Sequence, residues 1–238
     1  SPLDSIKKFK KENPEYSEIK MGYAGRLDPM AEGLLLVLVG EENKKKKEYE
    51  DLQKTYEVDV LLGVETDSYD ALGIIQKVSP LIIEKKSIDD VARSYVGTFT
   101  QHYPPYSSPK IAGKSLFALA AKGILKPEEI PQKERTIHLL IIKNVIMKKG
   151  SQLVSEVKEN IAKVQGNFRQ DDCIESWQKE MKNFQNESFQ IIPMTVVCSS
   201  GTYMRTLAHD IGKKLGCGGI AYHIRRIQIG ELTMENNE

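Results

Sequence analysis

The chain has 238 residues, 40% of them hydrophobic, enough to bury a substantial core in one large domain or two small ones. Lys and Arg total 34 against 33 Asp and Glu, a net charge of +1, which excludes nucleic-acid binding through bulk positive charge and leaves only local basic patches for that work. No stretch approaches the roughly 18 consecutive apolar residues of a membrane span and no signal peptide opens the chain, so a soluble cytoplasmic protein is the expectation.

In chain order, the pattern predicts a first helix over Leu3 to Lys11, stopped ahead of Asn13-Pro14 because proline disfavours helix at the residue before it. A Gly- and Pro-punctuated loop from Gly25 to Ala31 carries one carboxylate, Asp28, and runs into the apolar stretch Leu34 to Val39. That stretch reads as a buried strand holding its acid at the rim of a rigid sheet. An Asp so placed is a candidate nucleophile, although Asp before Pro is also an ordinary turn residue. A charged helix follows from about Glu41 to Leu52 and includes the run Lys44 to Lys47, which as a helix face is either solvated or a phosphate contact.

Tyr56, Val58, Val60 and Leu62 then alternate as in a strand with one face on a core, closed by Gly63. Thr66 to Asp70 is a polar loop before a short strand, Ile74 to Val78, and Ser87-Ile88-Asp89-Asp90 predicts a capping-box start for a helix ending near Gly97. The segment Gln101 to Lys110 holds three prolines, which remove ladder donors, so it reads as an extended, exposed arm. A short helix, Leu116 to Lys122, is capped by Gly123. A long apolar strand, Thr136 to Met147, precedes a helix marked by Leu153, Val157, Ile161 and Val164 and a second over Asp172 to Asn183. The strand Gln190 to Cys198, the helix Thr202 to Leu215, a Gly-rich turn and a strand near His223 to Ile229 complete the chain.

Cys173, Cys198 and Cys217 are odd in number and form no CxxC pair, so they read as small buried hydrophobes. The four histidines lack metal-ligand spacing, and the chain has neither a phosphate-cradling Gly loop nor a dinucleotide fingerprint. No metal and no cofactor are expected.

Five blocks stand in one order: Gly-Tyr-Ala-Gly-Arg-Leu-Asp-Pro-Met-Ala-Glu-Gly (22 to 33), Lys-Thr-Tyr-Glu-Val (54 to 58), Thr-Asp-Ser-Tyr-Asp (66 to 70), Pro-Pro-Tyr-Ser-Ser-Pro-Lys (104 to 110), and Ser-Ser-Gly-Thr-Tyr-Met-Arg-Thr (199 to 206) with Leu-Gly-Cys-Gly (215 to 218). Together they resemble the TruB family of tRNA pseudouridine synthases from about Leu3 to Ile229. The helical stretch of about 151 to 187 looks like an insertion. The resemblance implies a pseudouridine synthase fold, an α+β catalytic domain over 1 to 238 with a mixed, largely antiparallel central sheet flanked by helices.

By the same resemblance, Asp28 matches the catalytic aspartate, Arg205 the arginine that pairs with it, Asp70 an acid completing the network, and Tyr56 the tyrosine that stacks on the target base. A guanidinium fork suits the Arg205 role because it fixes the direction of a carboxylate. Tyr203 and Ile224 match positions lining the base pocket, while Tyr203 also falls at helical spacing with Leu207 and Ile211, so packing is equally open. The arm 98 to 123 resembles an RNA-clamping thumb, which would make Lys110 and Lys114 phosphate contacts, with Arg225 and Arg226 as another basic pair. Tyr23 stands where the family commonly has a histidine; it can stack on a base but cannot become cationic.

The implied reaction is isomerisation of uridine to pseudouridine at position 55, in the T loop of tRNA, by base flipping and an aspartate nucleophile. The implied partner is the tRNA T-arm, with no membrane and a monomeric protein. The Lys-Pro-x-Gly lead-in of the family is absent, so the chain is expected to begin late, and no C-terminal PUA domain is evident. Two alternatives remain: an RNA-binding or tRNA-folding factor with weak or lapsed catalysis, and a pseudouridine synthase acting on another RNA.

Overall fold

The computed structural model describes residues 2–234. Its frame is an eight-stranded sheet in the order Leu232–Thr233, Gly219–Ile229, Lys54–Leu62, Ser188–Cys198, Gln132–Ile142, Gly97–His102, with Ile146–Lys149 added on Ser188–Cys198 and Glu32–Gly33 on Gly219–Ile229. Every pairing is antiparallel except the last, where Arg225 and Arg226 run parallel beside Glu32 and Gly33. The architecture is therefore α+β with a mixed, largely antiparallel sheet.

Lys54–Leu62 sits at the centre because both its faces are covered. Val58, Val60 and Leu62 pack into a core shared with the helices Met204–Lys214 and Lys85–Arg93. Leu61, on the opposite face, joins a second core with Leu153, Val157, Ile161, Cys173 and Trp177 of the helices Gly150–Ala162 and Gln170–Glu180. The predicted one-sided alternation thus gives way to burial on both faces at the end of the strand. All three cysteines are free and buried.

Five expectations are corrected. Leu36–Val39 does not enter the central sheet; it pairs only with Met21–Ala24 in a two-stranded ribbon, and Leu38 alone of that strand is fully buried. The Asp28 loop therefore joins two strands of a ribbon and pairs with the sheet through Glu32–Gly33. The helix at Ser87 begins earlier, at Lys85 after Glu84, without a side-chain cap. Lys85–Asp89 and Lys86–Asp90 pairs one turn apart support its first turns instead.

The expected single strand Thr136 to Met147 is two strands, Gln132–Ile142 and Ile146–Lys149, pairing with successive parts of Ser188–Cys198. The interruption lies opposite Pro193, which has no N–H to give to a ladder, and only its carbonyl is used, accepting from the Lys143 N–H at 2.8 Å. The segment 101 to 110 is not a free arm: Gln101 and Ser107 are buried, and Gly97–His102 is an edge strand of the sheet. A small hairpin, Lys110–Ile111 with Lys114–Ser115, and the helix Leu116–Ala121 follow. The charged stretch after Val39 is a 3₁₀ turn, Gly40–Lys45, leading into the helix Lys46–Asp51.

Trp177, the one tryptophan of the chain, is buried between the helix pair and the sheet, and its indole N–H donates to the Ala71 carbonyl at 3.1 Å. Replacing it with phenylalanine strands that carbonyl and leaves a void. The expected loss is about 1–3 kcal/mol of stability, read from urea unfolding followed by far-UV circular dichroism.

Candidate active site

Arg205 lies on the second residue of the helix Met204–Lys214, at the end of the loop that leaves the strand Ser188–Cys198. Its side chain is only 3% exposed. A guanidinium cannot shed its proton in the physiological range, so its N–H groups must find acceptors. They do: Nε donates to Asp28 Oδ2 at 2.9 Å and Nη2 to Asp28 Oδ1 at 2.8 Å, a bidentate fork, while Nη1 donates to the Ser68 carbonyl and Nη2 also to the Tyr106 carbonyl, both at 3.0 Å. Burial works against the charge on Arg205, but the carboxylates of Asp28 and Asp70 outweigh it and hold the guanidinium pKa above its ordinary value. Asp28 remains 29% exposed, facing open space.

Asp70 is the second acid. Its Oδ1 accepts from the Ser68 hydroxyl at 2.6 Å and from the Leu72 N–H at 3.0 Å, and its Oδ2 lies 3.7 Å from Arg205 Nε. Because that nitrogen is already directed at Asp28, the pairing with Asp70 is longer and weaker. Burial consequently dominates and pushes the Asp70 carboxyl up to about 6, against the pull of Arg205 and Ser68.

The Asp28 loop is held by a second buried arginine. Arg226 is 1% exposed; its Nε donates to the Leu34 carbonyl at 2.9 Å, and its Nη2 donates to the carbonyls of Gly25 at 2.9 Å and Leu34 at 2.6 Å. One guanidinium thus ties the entrance of the loop to its exit. The backbone adds a bond from Leu34 N–H to the Arg226 carbonyl at 2.9 Å. Gly33 lies so close there that a Cβ would stand 2.2 Å from that carbonyl oxygen, and its φ is +102°.

These groups open into a cavity of about 990 Å³. Tyr56, Tyr203 and Ile224 form aromatic and apolar wall. Tyr203 is fixed to the edge strand by Gln101, whose side-chain amide donates to the Tyr203 carbonyl at 3.0 Å and accepts from its N–H at 2.9 Å. Burial pushes the Tyr56 hydroxyl up to about 12, with Arg226 opposing, so its phenol stays protonated at neutral pH and offers a ring face and a donor. The cationic wall comprises Arg26, Lys54, Lys133, Arg135, Arg169 and Arg226. Lys54 is buried against the carbonyls of Glu50 and Leu52, and burial, aided by Arg226, brings its ammonium down to about 8.

The structure brings Asp28, Asp70, Arg205, Tyr56, Tyr203 and Ile224 around this cavity. Tyr23 lies apart from the wall, in the ribbon strand Met21–Ala24, with Lys46 Nζ 5.5 Å from its ring centroid. Lys110 and Lys114 are exposed on the hairpin beside the wall residue Ser115. Arg225 points outward to Glu32 at 3.7 Å. Of the lysine run, Lys44, Lys45 and Lys46 pair with Glu41, Glu42 and Glu50, which makes it a self-neutralised surface and not a free basic patch.

Arg225 and Arg226 read together as a basic pair, but strand alternation separates them: with Ile224 inward, Arg226 lies on the same, buried face. Gln101 and Arg169 carry no comparable signal, since each meets its partner 102 residues away in sequence.

A carboxylate aimed by a buried arginine, set in a deep cavity with aromatic walls and a cationic rim, has the chemistry that nucleophilic attack on an anionic, ring-bearing molecule would need. The model of the TruB family pseudouridylate synthase N-terminal domain matches residues 10–161, and the chain belongs to that family. It is 32% identical over 222 residues to the tRNA pseudouridine synthase B of Dechloromonas aromatica (strain RCB), covering 93% of this chain and 60% of the relative. It is 31% identical over 237 residues to the protein of that name from Parabacteroides distasonis, covering 98% and 82%. The chain spans about three fifths of the length of several of the curated relatives it matches. A solved Cbf5-Nop10-Gar1 complex contains a chain that matches with a TM-score of 0.58 at 16% identity, covering 98% of this chain and 46% of that one, a likeness of fold.

The raised Asp70 pKa predicts a pH signature. The native state holds the Asp70 proton more tightly than the unfolded chain, so stability falls as pH rises from about 4 to about 6 and is relieved as pH falls back. Asp70→Asn removes this dependence; its unfolding free energy relative to wild type is expected to change by up to about 3 kcal/mol across that window, measured by urea titration at stepped pH.

Proposed function

We propose that this chain isomerises uridine to pseudouridine at position 55 in the T loop of tRNA, with Asp28 as the nucleophile. The observation that carries this reading is the Asp28–Arg205 fork inside a cavity walled by Tyr56, Tyr203 and Ile224, in a chain of the TruB family. The glycosidic N–C bond breaks, the uracil turns, and the ring rejoins the sugar through carbon, which gives up its proton while the freed ring nitrogen takes one up, so nothing is oxidised and no group donor is consumed. Asp28 attacks the nucleotide and is released when the new bond closes, dividing one difficult exchange into two steps. Arg205 keeps the carboxylate aimed through both. Placement matters because about 1 Å of error can cost about a hundredfold in rate.

A base in a stacked loop cannot reach Asp28, so the uridine must flip out, and Tyr56 gives it a ring to stack on. The cavity, near the upper end of the range of about 300–1,000 Å³ for small-ligand sites, accommodates an extruded nucleotide. Phosphates beside that nucleotide meet Arg26, Lys133 and Arg135, which supply locally the positive charge that the whole chain lacks. The hairpin Lys110–Ile111 with Lys114–Ser115 faces the T-arm, with Lys110 and Lys114 reaching the backbone.

Asp28→Asn keeps the shape and removes the nucleophile. The expected outcome is no pseudouridine formed under single-turnover conditions with tRNA affinity held within a few-fold; turnover by this variant would remove Asp28 from its role. The clamp is tested separately. Alanine at both Lys110 and Lys114 is expected to flatten the slope of log affinity against log salt by up to about one unit per lost contact, while an unchanged slope places the phosphate contacts elsewhere.

A further inference from the structure

We infer that Arg169, in the turn between the helices Gly150–Ala162 and Gln170–Glu180, is a positioning residue for Arg205. The guanidinium of Arg205 has two backbone seats besides Asp28: the carbonyls of Ser68 and Tyr106. These carbonyls belong to segments far apart in sequence. Asp67, beside Ser68, and the side chain of Tyr106 are joined by a bond from the Tyr106 hydroxyl to Asp67 Oδ2 at 3.0 Å. Arg169 closes this joint. Its Nη1 donates to Asp67 Oδ2 at 2.8 Å and its Nη2 to Oδ1 at 3.3 Å, while its guanidinium carbon lies 4.3 Å from the Tyr106 ring centroid. One side chain therefore pairs with the acid next to one seat and stacks on the ring of the other.

The local backbone is committed to this placement. Arg169 stands at φ 61°, ψ 35°, a left-handed conformation that costs an ordinary residue about 1–2 kcal/mol. It precedes the helix whose Cys173 N–H bonds back to the Arg169 carbonyl at 2.9 Å, and Gln170 accepts from the Phe168 N–H at 2.8 Å. Beyond the turn, Phe168 meets Phe117 edge-on, and Phe117 meets Tyr106 in the same way, at centroid distances of 6.4 and 5.6 Å. The helix pair thus grips the segment that carries Tyr106 by charge and by ring contacts. Asp67 is held from its other side by the Ile74 N–H at 2.9 Å, so a shift of Arg169 is passed on to the Ser68 and Tyr106 carbonyls and through them to the fork on Asp28.

Arg169 also lines the cavity, so the test must separate positioning from contact with RNA. The inference rests on the reading of Asp28 and Arg205 as the reacting pair. The measurements are the single-turnover rate at saturating tRNA, the tRNA affinity and its salt slope, for wild type, Arg169→Gln, Tyr106→Phe and the double variant. Positioning predicts a rate for Arg169→Gln reduced about tenfold or more, with affinity within twofold and an unaltered salt slope, since misplacement of about 1 Å costs up to about a hundredfold. Tyr106→Phe, which keeps the ring and the carbonyl, should lose less, and the double variant should be no slower than Arg169→Gln, because both changes release the same joint.

A wild-type rate in Arg169→Gln overturns the inference. So does a loss confined to affinity and salt slope, which makes Arg169 a phosphate contact, or a double variant whose losses multiply. If the Gln variant does not fold, Tyr106→Phe decides alone: a slowed rate at unchanged affinity supports the joint, and a wild-type rate overturns it. Wild-type protein that forms no pseudouridine removes the reading of Asp28 itself, whereas an active wild type with an unaffected Arg169→Gln removes only the role of Arg169.

Discussion

A guanidinium that is both buried and permanently charged is the constraint around which this site is arranged. Arg205 cannot lose its proton to escape burial, and leaving it unpaired would cost several kcal/mol. Four separate bonds meet that demand, two to Asp28 and one each to the carbonyls of Ser68 and Tyr106. Between them these bonds recruit three stretches of chain: the loop after the ribbon strand Met21–Ala24, the turn before Asp70, and the proline-rich segment beyond the edge strand. Satisfying one cation thus collects the Asp28 carboxylate, its neighbouring acid and the cavity wall at one place.

The two faces of the sheet divide the labour. The face bearing Val58, Val60 and Leu62 packs against the helix that carries Arg205, so the depth of Arg205 is set by a close-packed core. The other face packs against the helix pair, whose connecting turn supplies Arg169. Arg226 performs from the strand Gly219–Ile229 a service parallel to that of Arg205, toward the carbonyls of Gly25 and Leu34. It shapes the loop while Arg205 aims the side chain.

Elements with a strong local signature were legible in the sequence: the alternation from Tyr56 to Leu62, the helical stripe from Leu153 to Ile161, and the glycine and proline punctuation around Asp28. So were residues lying in contiguous motifs, among them Asp28, Asp70 and Arg205. What could not be read was set by tertiary pairing. Leu36–Val39 has the composition of a central strand, yet it pairs in a ribbon because the loop ahead of it is claimed by Arg226. The segment 101 to 110 has the composition of a free arm, yet its amide and carbonyl groups are taken by Tyr203 and Arg205. The break opposite Pro193 follows from one missing N–H on the partner strand, which the apolar run Thr136 to Met147 cannot register by itself.

The distances along the chain between the parts of this site bear on how it comes into being. Asp28 lies 177 residues from Arg205, and Gly25 lies 201 from Arg226. At a synthesis rate of about 5–20 residues per second, the Asp28 loop waits roughly 9 to 35 s for Arg205 to be made. Throughout that interval no early intermediate can contain the fork, because neither guanidinium exists. The Asp28 carboxylate thus leaves the ribosome well before either arginine that fixes it, and its aim depends on chain made 177 residues later.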